Sequence, residues 1–452
     1  MTQKFAPTLA ILNAAIVLPD GVRELDIGIA DGLIVELDRP LTGNYSQIID
    51  ARGLFALPGV IDTQVHFREP GLEYKEDLAS GSLAAAAGGV TTFFDMPNTQ
   101  PSTTTAELLA DKVRRAHGRA WVDHAFFVGA CAENVRDLAV LERLPGCAGV
   151  KVFMGSSTGT LLVESDALLR QVLQSGRRRM AIHAEDEPRL QYLKATVAAS
   201  RPHDHLLRRD PEAARKAVQR LLDLVGETMR PVHILHVNSA DEMELLRTHP
   251  ARRLVTVEVT PQHLLLSAPD CYDRLGTLAV MNPPIREEFH RLALWQALRD
   301  GVITCIGSDH APHTLEEKSK AYPNVPSGMP GVQTTLPLLL DQVHKGAISL
   351  EEVALWTAQR PAQVYQIMGK GGLLPGLDAD IALCDLTLTR ALTKPLIRSK
   401  VGWSPWEDQP LTGWPRVTIV RGNIVYRDDE PLGEPLGQPV RFAHTVPVMG
   451  PL

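Results

Sequence analysis

Hydrophobic and polar positions change rhythm twice along the chain. Over residues 1–57, the stretches ILNAAIVLPDG, LDIGIADGLIVELD and IIDARGLFALPG alternate apolar and polar positions around Asp-Gly and Pro-Asp-Gly turns. That is the period of half-buried strands joined by tight turns. Residues 373–452 return to it in GLLPGLDADIALCDL and RVTIVRGNIVYRDDEP. Between the two ends, short apolar runs recur at 59–67, 89–97, 124–130, 149–155, 179–185, 232–238, 254–260 and 302–310. Segments such as KEDLASGSLAAAAGG, AELLADKVRRAHG, ESDALLRQVLQSG and EFHRLALWQALRDG separate them with helical periodicity, several ending in Gly. Strands alternating with helices run parallel, and eight such units close into a (β/α)8 (TIM) barrel. The predicted fold is therefore α/β. It has a barrel over 58–372 and a small β-sandwich domain built from both termini, 1–57 plus 373–452, since domain termini often lie close together. A doubly wound open sheet is the alternative, but no GxGxxG or Walker A pattern follows an early strand.

Length and composition agree with one large and one smaller domain: 452 residues, 44% hydrophobic and 22% charged. With 46 Lys+Arg against 53 Asp+Glu the net charge is −7, which disfavours a nucleic-acid partner. The basic run Arg177–Arg179 precedes an apolar strand and reads as a solvated strand entry. Cys131, Cys147, Cys271, Cys305 and Cys384 are scattered, with no CxxC pair, and read as reduced core thiols. The N-terminus lacks the layout of a signal peptide, and no apolar run approaches the ~20 residues of a membrane span. A cytoplasmic protein with no membrane partner is expected.

A barrel carries its chemistry at the C-terminal ends of its strands. The first strand ends in His66 and Arg68, with Gln64 on the same face by the strand's period of two. The fourth carries Lys151, the fifth ends at His183, the sixth carries His233 and His236, and the eighth ends at Asp309 before His310 and His313. Imidazoles with a carboxylate suit Zn2+ or a similar cation. Singly, each residue has a plainer reading. A lone His is usually structural, as read here for His117, His203, His205, His249, His290, His344 and His444. Asp309 alone would read as a helix N-cap, and Arg68 alone as a surface salt bridge to Glu69 or Glu73. Lys151 lies within GVKVFMG, and a buried ammonium costs several kcal/mol unless paired or modified. It therefore faces the barrel mouth with a partner or is neutralised. Three positions apart on one strand, His233 and His236 are expected to face opposite ways, and His263, just past the seventh strand, reads as structural. The stretch 156–162, SSTGTLL, is either a loop closing on substrate or a plain surface loop.

Taken in order, these segments resemble the amidohydrolase superfamily and, within it, the dihydroorotases. QVHFREPGLEYKED, FDMPNTQP, GVKVFMGSSTG, AIHAEDE, HILHVNSADE, EVTPQHLLL, MNPPIREE, IGSDHAPHTLEEK and GLLPGLDADIALCDL carry the likeness across nearly the whole chain. The resemblance implies two Zn2+ ions per chain and a CO2-derived carbamate on Lys151 bridging them. His66, Lys151 and Asp309 would hold one ion, and Lys151, His183 and His236 the other, with a hydroxide between. Such enzymes reversibly hydrolyse L-dihydroorotate to N-carbamoyl-L-aspartate in pyrimidine biosynthesis. Asp309 would take the hydroxide's proton and pass it to the leaving nitrogen. Arg68, Asn98 and His313 would clamp the substrate's carboxylate, which suits an Arg fork, and Asn282 would hydrogen-bond the ring amide. A homodimer is the assembly the resemblance implies, with aspartate carbamoyltransferase as a further candidate partner.

Position 64 departs from the family's pattern, with Gln in place of the first His of an HxH pair. His66, the Lys151 carbamate and Asp309 still give three ligands, the open arrangement of a catalytic Zn2+. Gln64 is left as a weak carbonyl ligand or a contact to the hydroxide, and the two ions are expected to differ in affinity. Two alternatives stand beside this reading. One is another cyclic-amide hydrolase, of the allantoinase or hydantoinase/dihydropyrimidinase type. The other is a non-catalytic dihydroorotase-like scaffold for aspartate carbamoyltransferase.

Overall fold

The structure, a computed structural model, describes residues 8–156 and 161–445. Of the stretch 156–162, residues 157–160 therefore lie outside the described residues, as do the outermost residues of both termini. The alternating N-terminal segment forms β1 (Leu9–Leu18), β2 (Gly21–Ala30), β3 (Leu33–Asp38), β4 (Gln47–Asp50) and β5 (Phe55–Pro58). The β2–β3 hairpin turns on Asp31 (φ 51°) and Gly32 (φ 79°), the two positive-φ positions that Asp-Gly supplies to a tight hairpin turn.

Eight parallel strands follow: β6 (Val60–Val65), β7 (Val90–Asp95), β8 (Asp123–Gly129), β9 (Cys147–Phe153), β10 (Met180–His183), β11 (Val232–Ile234), β12 (Val255–Val259) and β13 (Cys305–Ile306). Each pairs with the next. A parallel bridge from Val65 to His310, with the His66 amide donating to the His310 carbonyl at 2.7 Å, closes the ring. Outward side chains such as Val150, Val152, Ile182, Ile234 and Val257 pack under the surrounding helices in the largest core cluster. The intervening residues Ile61, Phe94, Phe127, Ala148 and Ala181 pack together with Tyr365 and Phe442 in a separate cluster. This is the two-sided burial that makes parallel strands read as continuous apolar runs.

The chain then returns to the terminal sheet as β14 (Ile381–Ala391), β15 (Pro410–Val420), β16 (Asn423–Arg427) and β17 (Glu430–Pro431). Antiparallel pairing of β14 with β5 joins both ends of the chain in one nine-stranded sheet. Ile29 and Ile34 from one end of that sheet share a core with Val417 and Ile419 from the other, so the sheet folds over on itself. The stretch between β14 and β15 instead leaves the sheet and packs on the barrel. Trp403 and Trp406 bury against Tyr272 and Met281, and the Trp403 indole donates to the His313 carbonyl at 2.8 Å.

Candidate active site

Strand β6 sets the first part of the site. Its register against β7 gains a residue between Asp62 and Val65. Such a bulge re-aims the side chains around it. The Asp62 carboxylate accepts from the Ser308 amide at 3.0 Å and ties β6 to the segment after β13. Beyond Val65 the chain is no longer a strand. The Phe67 amide donates to Asp95 Oδ1 at 2.7 Å, and Asp95 is itself fixed by the buried Lys112 ammonium at 2.5 Å. Arg68 then takes φ 65°. Its direction is thus set by a left-handed turn, not by the strand alternation that predicted a shared face with Gln64 and His66.

Seven of the predicted residues line one cavity at the C-terminal mouth of the barrel: Gln64, His66, Lys151, His183, His236, Asn282 and Asp309. His66 Nε2 lies 3.2 Å from Asp309 Oδ1, and Gln64 Nε2 donates to the same oxygen at 2.9 Å. On the other side, His183 Nδ1 and His236 Nε2 are 3.0 Å apart. His236 sits past the end of β11 at φ 37°. That turn breaks the count of three from His233, and both rings are buried within the field of Lys151. The expectation that they face opposite ways fails because the strand stops at Ile234.

Lys151 is 1% exposed and its ammonium makes no hydrogen bond among the described residues; it lies 4.6 Å from the Phe153 ring centroid. Burial pushes its amine down to about 7. A substantial neutral fraction near pH 7 follows, and only the neutral amine has a lone pair to offer an electrophile such as CO2. Burial likewise holds His66 and His183 below the usual imidazole range and His236 well below it. Neutral imidazoles are what a cation needs as ligands. An orphaned buried amine between a His–Asp pair and a His–His pair fits a divalent metal centre.

Arg68, Asn98 and His313 do not line this cavity. Asn98 Oδ1 lies 2.9 Å from His66 Nδ1. Arg68 Nε donates to the Pro312 carbonyl at 3.1 Å, and its Nη2 is 3.3 Å from His313 Nε2. The Lys75 ammonium, 3.0 Å from His313 Nδ1, can only donate, and the Ser327 carbonyl, 3.0 Å from Nε2, can only accept. His313 therefore carries its proton on Nε2, and the Arg68 approach to that nitrogen is a contact rather than a hydrogen bond. Among the described residues, both terminal nitrogens of the Arg68 fork remain uncommitted. Burial pushes this guanidinium down to about 10, still charged at neutral pH.

Several supporting groups escaped sequence reasoning. Glu185 lies 3.0 Å from His183 Nε2 and is paired with Arg209 at 2.5 Å. A carboxylate two residues after a strand-end His was the available signal. His205, read as structural, is buried with Nε2 3.0 Å from Asn282 Oδ1; nothing marked its link to Asn282, since it lies in a short helix away from any strand. Lys75 and Glu317 flank His313. His263 bonds Thr260 and the Pro283 carbonyl, a structural setting.

A barrel with such a donor set at its mouth defines a class, and the chain belongs to it: the Amidohydrolase family, matched over residues 55–425. It is a hydrolase. Among relatives, it is 38% identical to the dihydroorotase of Methanothermobacter thermautotrophicus, over 90% of this chain and 92% of that protein. It is 31% identical to the allantoinase of Desulfitobacterium hafniense, over 96% and 98%. Among solved structures, the L-hydantoinase (dihydropyrimidinase) from Arthrobacter aurescens superposes with TM-score 0.91 at 30% identity, covering 96% of this chain and 100% of that one. Among the described residues no helix is long and apolar enough to cross a membrane.

Proposed function

We propose that the protein is a dihydroorotase, hydrolysing the ring amide of L-dihydroorotate to N-carbamoyl-L-aspartate and running in reverse in pyrimidine biosynthesis. The observation that carries this choice among cyclic amides is the uncommitted Arg68 fork beside His313. An unreacting carboxylate on the substrate is the partner such a buried cation needs, and two parallel charge-assisted hydrogen bonds fix its orientation. Allantoin and hydantoin rings bring no such anion.

The donor set suits two Zn2+ ions, one held by His66, Asp309 and a Lys151 carbamate, the other by the same carbamate with His183 and His236. Bound there, the ions would polarise the amide carbonyl and lower the pKa of water. The chain's own groups do the rest. Asn98 on His66 Nδ1, and Glu185 beside His183, orient the imidazoles. Gln64 holds one Asp309 oxygen through a donated hydrogen bond. The other Asp309 oxygen is left to receive a proton from the attacking water and return it to the leaving nitrogen. Asn282, oriented by His205 at the cavity wall, offers its amide to the ring. Gln64 is assigned here as a partner of Asp309 first and a weak ligand second.

Steady-state assays of the metal-loaded protein with dihydroorotate, allantoin, hydantoin and dihydrouracil test the reading. Preference for dihydroorotate supports it. Preference for a neutral ring moves the assignment to the allantoinase or hydantoinase type. No turnover of any substrate with metal bound would mark a scaffold.

A further inference from the structure

Beneath the mouth, strands β11, β12 and β13 bring together His233, Glu258 and Cys305, whose ligand atoms all lie within 4.8 Å of one another and are fully buried. Neighbouring strands in register account for this, with His233 opposite Thr256 and Glu258 opposite Cys305. Around the trio, the hydrogen bonds are arranged as they are around a metal ligand set. The Thr256 hydroxyl lies 2.8 Å from His233 Nδ1 and 3.4 Å from the Val232 carbonyl. With Nδ1 protonated and donating to that hydroxyl, a lone pair is left on Nε2, the arrangement a metal-bound imidazole takes. Nε2 points at Cys305 Sγ, 3.8 Å away, and at Glu258 Oε2, 3.6 Å away. Thr63 donates to Glu258 Oε2, while Glu258 Oε1 has no hydrogen-bond partner among the described residues. The carboxylate lies against Gly307, where a Cβ would come within 2.5 Å of it.

We infer that His233, Glu258 and Cys305 form a second, buried metal site that takes Zn2+ or a similar thiophilic divalent cation, separate from the centre at the mouth. Tetrahedral Zn2+ with ordinary bond lengths sets N···O at about 3.4 Å and N···S at about 3.6 Å. The observed 3.6 and 3.8 Å need to close by only about 0.2 Å each. Thiolate and carboxylate together carry two negative charges, so a divalent ion leaves the buried site neutral, and binding expels one proton from each acid. The ion would tie together strands of three, five and two residues, including the two shortest staves of the barrel. The other buried acidic group, Asp123, Asp378 and Asp380, differs in kind: the Lys370 ammonium already contacts all three carboxylates at 2.7, 3.2 and 2.5 Å.

The centre at the mouth contains no sulfur donor, so a sulfur signal reports this site alone, whatever becomes of the proposed reaction. The protein would be produced in zinc-depleted, cobalt-supplemented medium, because a site buried this deeply fills during folding. Expected are a thiolate-to-cobalt charge-transfer band and one sulfur scatterer in the cobalt X-ray absorption spectrum. Cys305→Ser should lose the band and about one metal equivalent per chain, while Cys271→Ser keeps both. Should Cys305→Ser fail to fold, the wild-type sulfur shell and its loss in Glu258→Gln decide the matter. A folded wild-type protein with no thiolate band and no sulfur shell, or a band surviving in Cys305→Ser, would overturn the site.

Discussion

Replacing Arg68 by Met tests the substrate assignment directly. The side chain is 3% exposed and its two terminal nitrogens are uncommitted among the described residues, so a carboxylate meeting them makes two charge-assisted hydrogen bonds in a dry site. Each contributes about 1.5–3 kcal/mol. Because the two act as a unit, a joint loss of about 3–5 kcal/mol is expected, or roughly 10²- to 10³-fold or more in kcat/KM for dihydroorotate. Methionine keeps most of the aliphatic volume. Only the bond to the Pro312 carbonyl is lost from the resting fold, a change of about 1 kcal/mol that a melting curve would register. The assay is kcat/KM for dihydroorotate beside a neutral ring such as hydantoin. The expected result is a large loss for the anion and little change for the neutral ring. Intact dihydroorotate turnover, or equal losses for both substrates in a protein that melts normally, would refute the reasoning.

Three further outcomes are expected. Gln64→His replaces an amide that serves Asp309 with an imidazole that can serve a cation, so metal should be retained against higher chelator concentrations; unchanged retention in metal analysis would argue that position 64 does not limit affinity. Lys318 donates to the carbonyls of Val280, Pro326 and Gly328 at 2.9, 3.0 and 3.0 Å, so Lys318→Met should cost about 2–3 kcal/mol in denaturant unfolding through the carbonyls left unsatisfied; a loss below 0.5 kcal/mol would exclude that clamp. Burial pushes His124 and His205 down to about 4, whereas the unfolded chain takes up these protons near pH 6.5. The unfolded state therefore binds more protons between those values, and stability falls as pH drops from 6.5 to 4, by up to about 3 kcal/mol per ring. In urea titrations His124→Phe, packed between Phe93 and Phe126, should remove about one proton from that dependence; an unaltered slope would contradict it.

The order of the barrel strands was legible because parallel strands buried on both faces leave uninterrupted apolar runs between helix-period segments. Their lengths were not. The run at 302–310 contains a strand of only Cys305–Ile306, and the run at 232–238 one of Val232–Ile234. His66, Arg68, His236 and Asp309 lie past their strand ends, on backbone that no strand period describes, whereas Lys151 and His183 still belong to β9 and β10. Residue type and order sufficed to expect His66, Lys151, His183, His236 and Asp309 around one cavity, but not the aim of Arg68 and His236. The bulge in β6 left no mark in the pattern either, since its residues are buried whichever way they turn. Supporting groups were legible only where they lay beside a strand end, as with Glu185. His205 reaches Asn282 from a short helix, His205–Arg208, far along the chain, and only tertiary packing brings the two together.

The backbone offers a reason, independent of resemblance, to place function at the mouth. Among the described residues, eleven non-glycine residues have positive φ. Most sit where that is cheap: Asp at turns, Asn13 at a bulge within β1, and Met229 and Gln366 at helix C-termini. Arg68, His236 and Asp309 are different, lying just past β6, β11 and β13, where φ of 65°, 37° and 45° serves no hairpin or helix cap. Strain of this kind costs of order 1–3 kcal/mol per residue and persists only when the surroundings overdetermine it. Here they do: the Phe67–Asp95–Lys112 chain holds the turn before Arg68, and the His66–His310 closure holds the segment carrying Asp309. A barrel built for stability alone would relax these three turns to ordinary strand exits. Keeping them strained brings an imidazole and a carboxylate into the cavity at the mouth and sets a guanidinium beside His313.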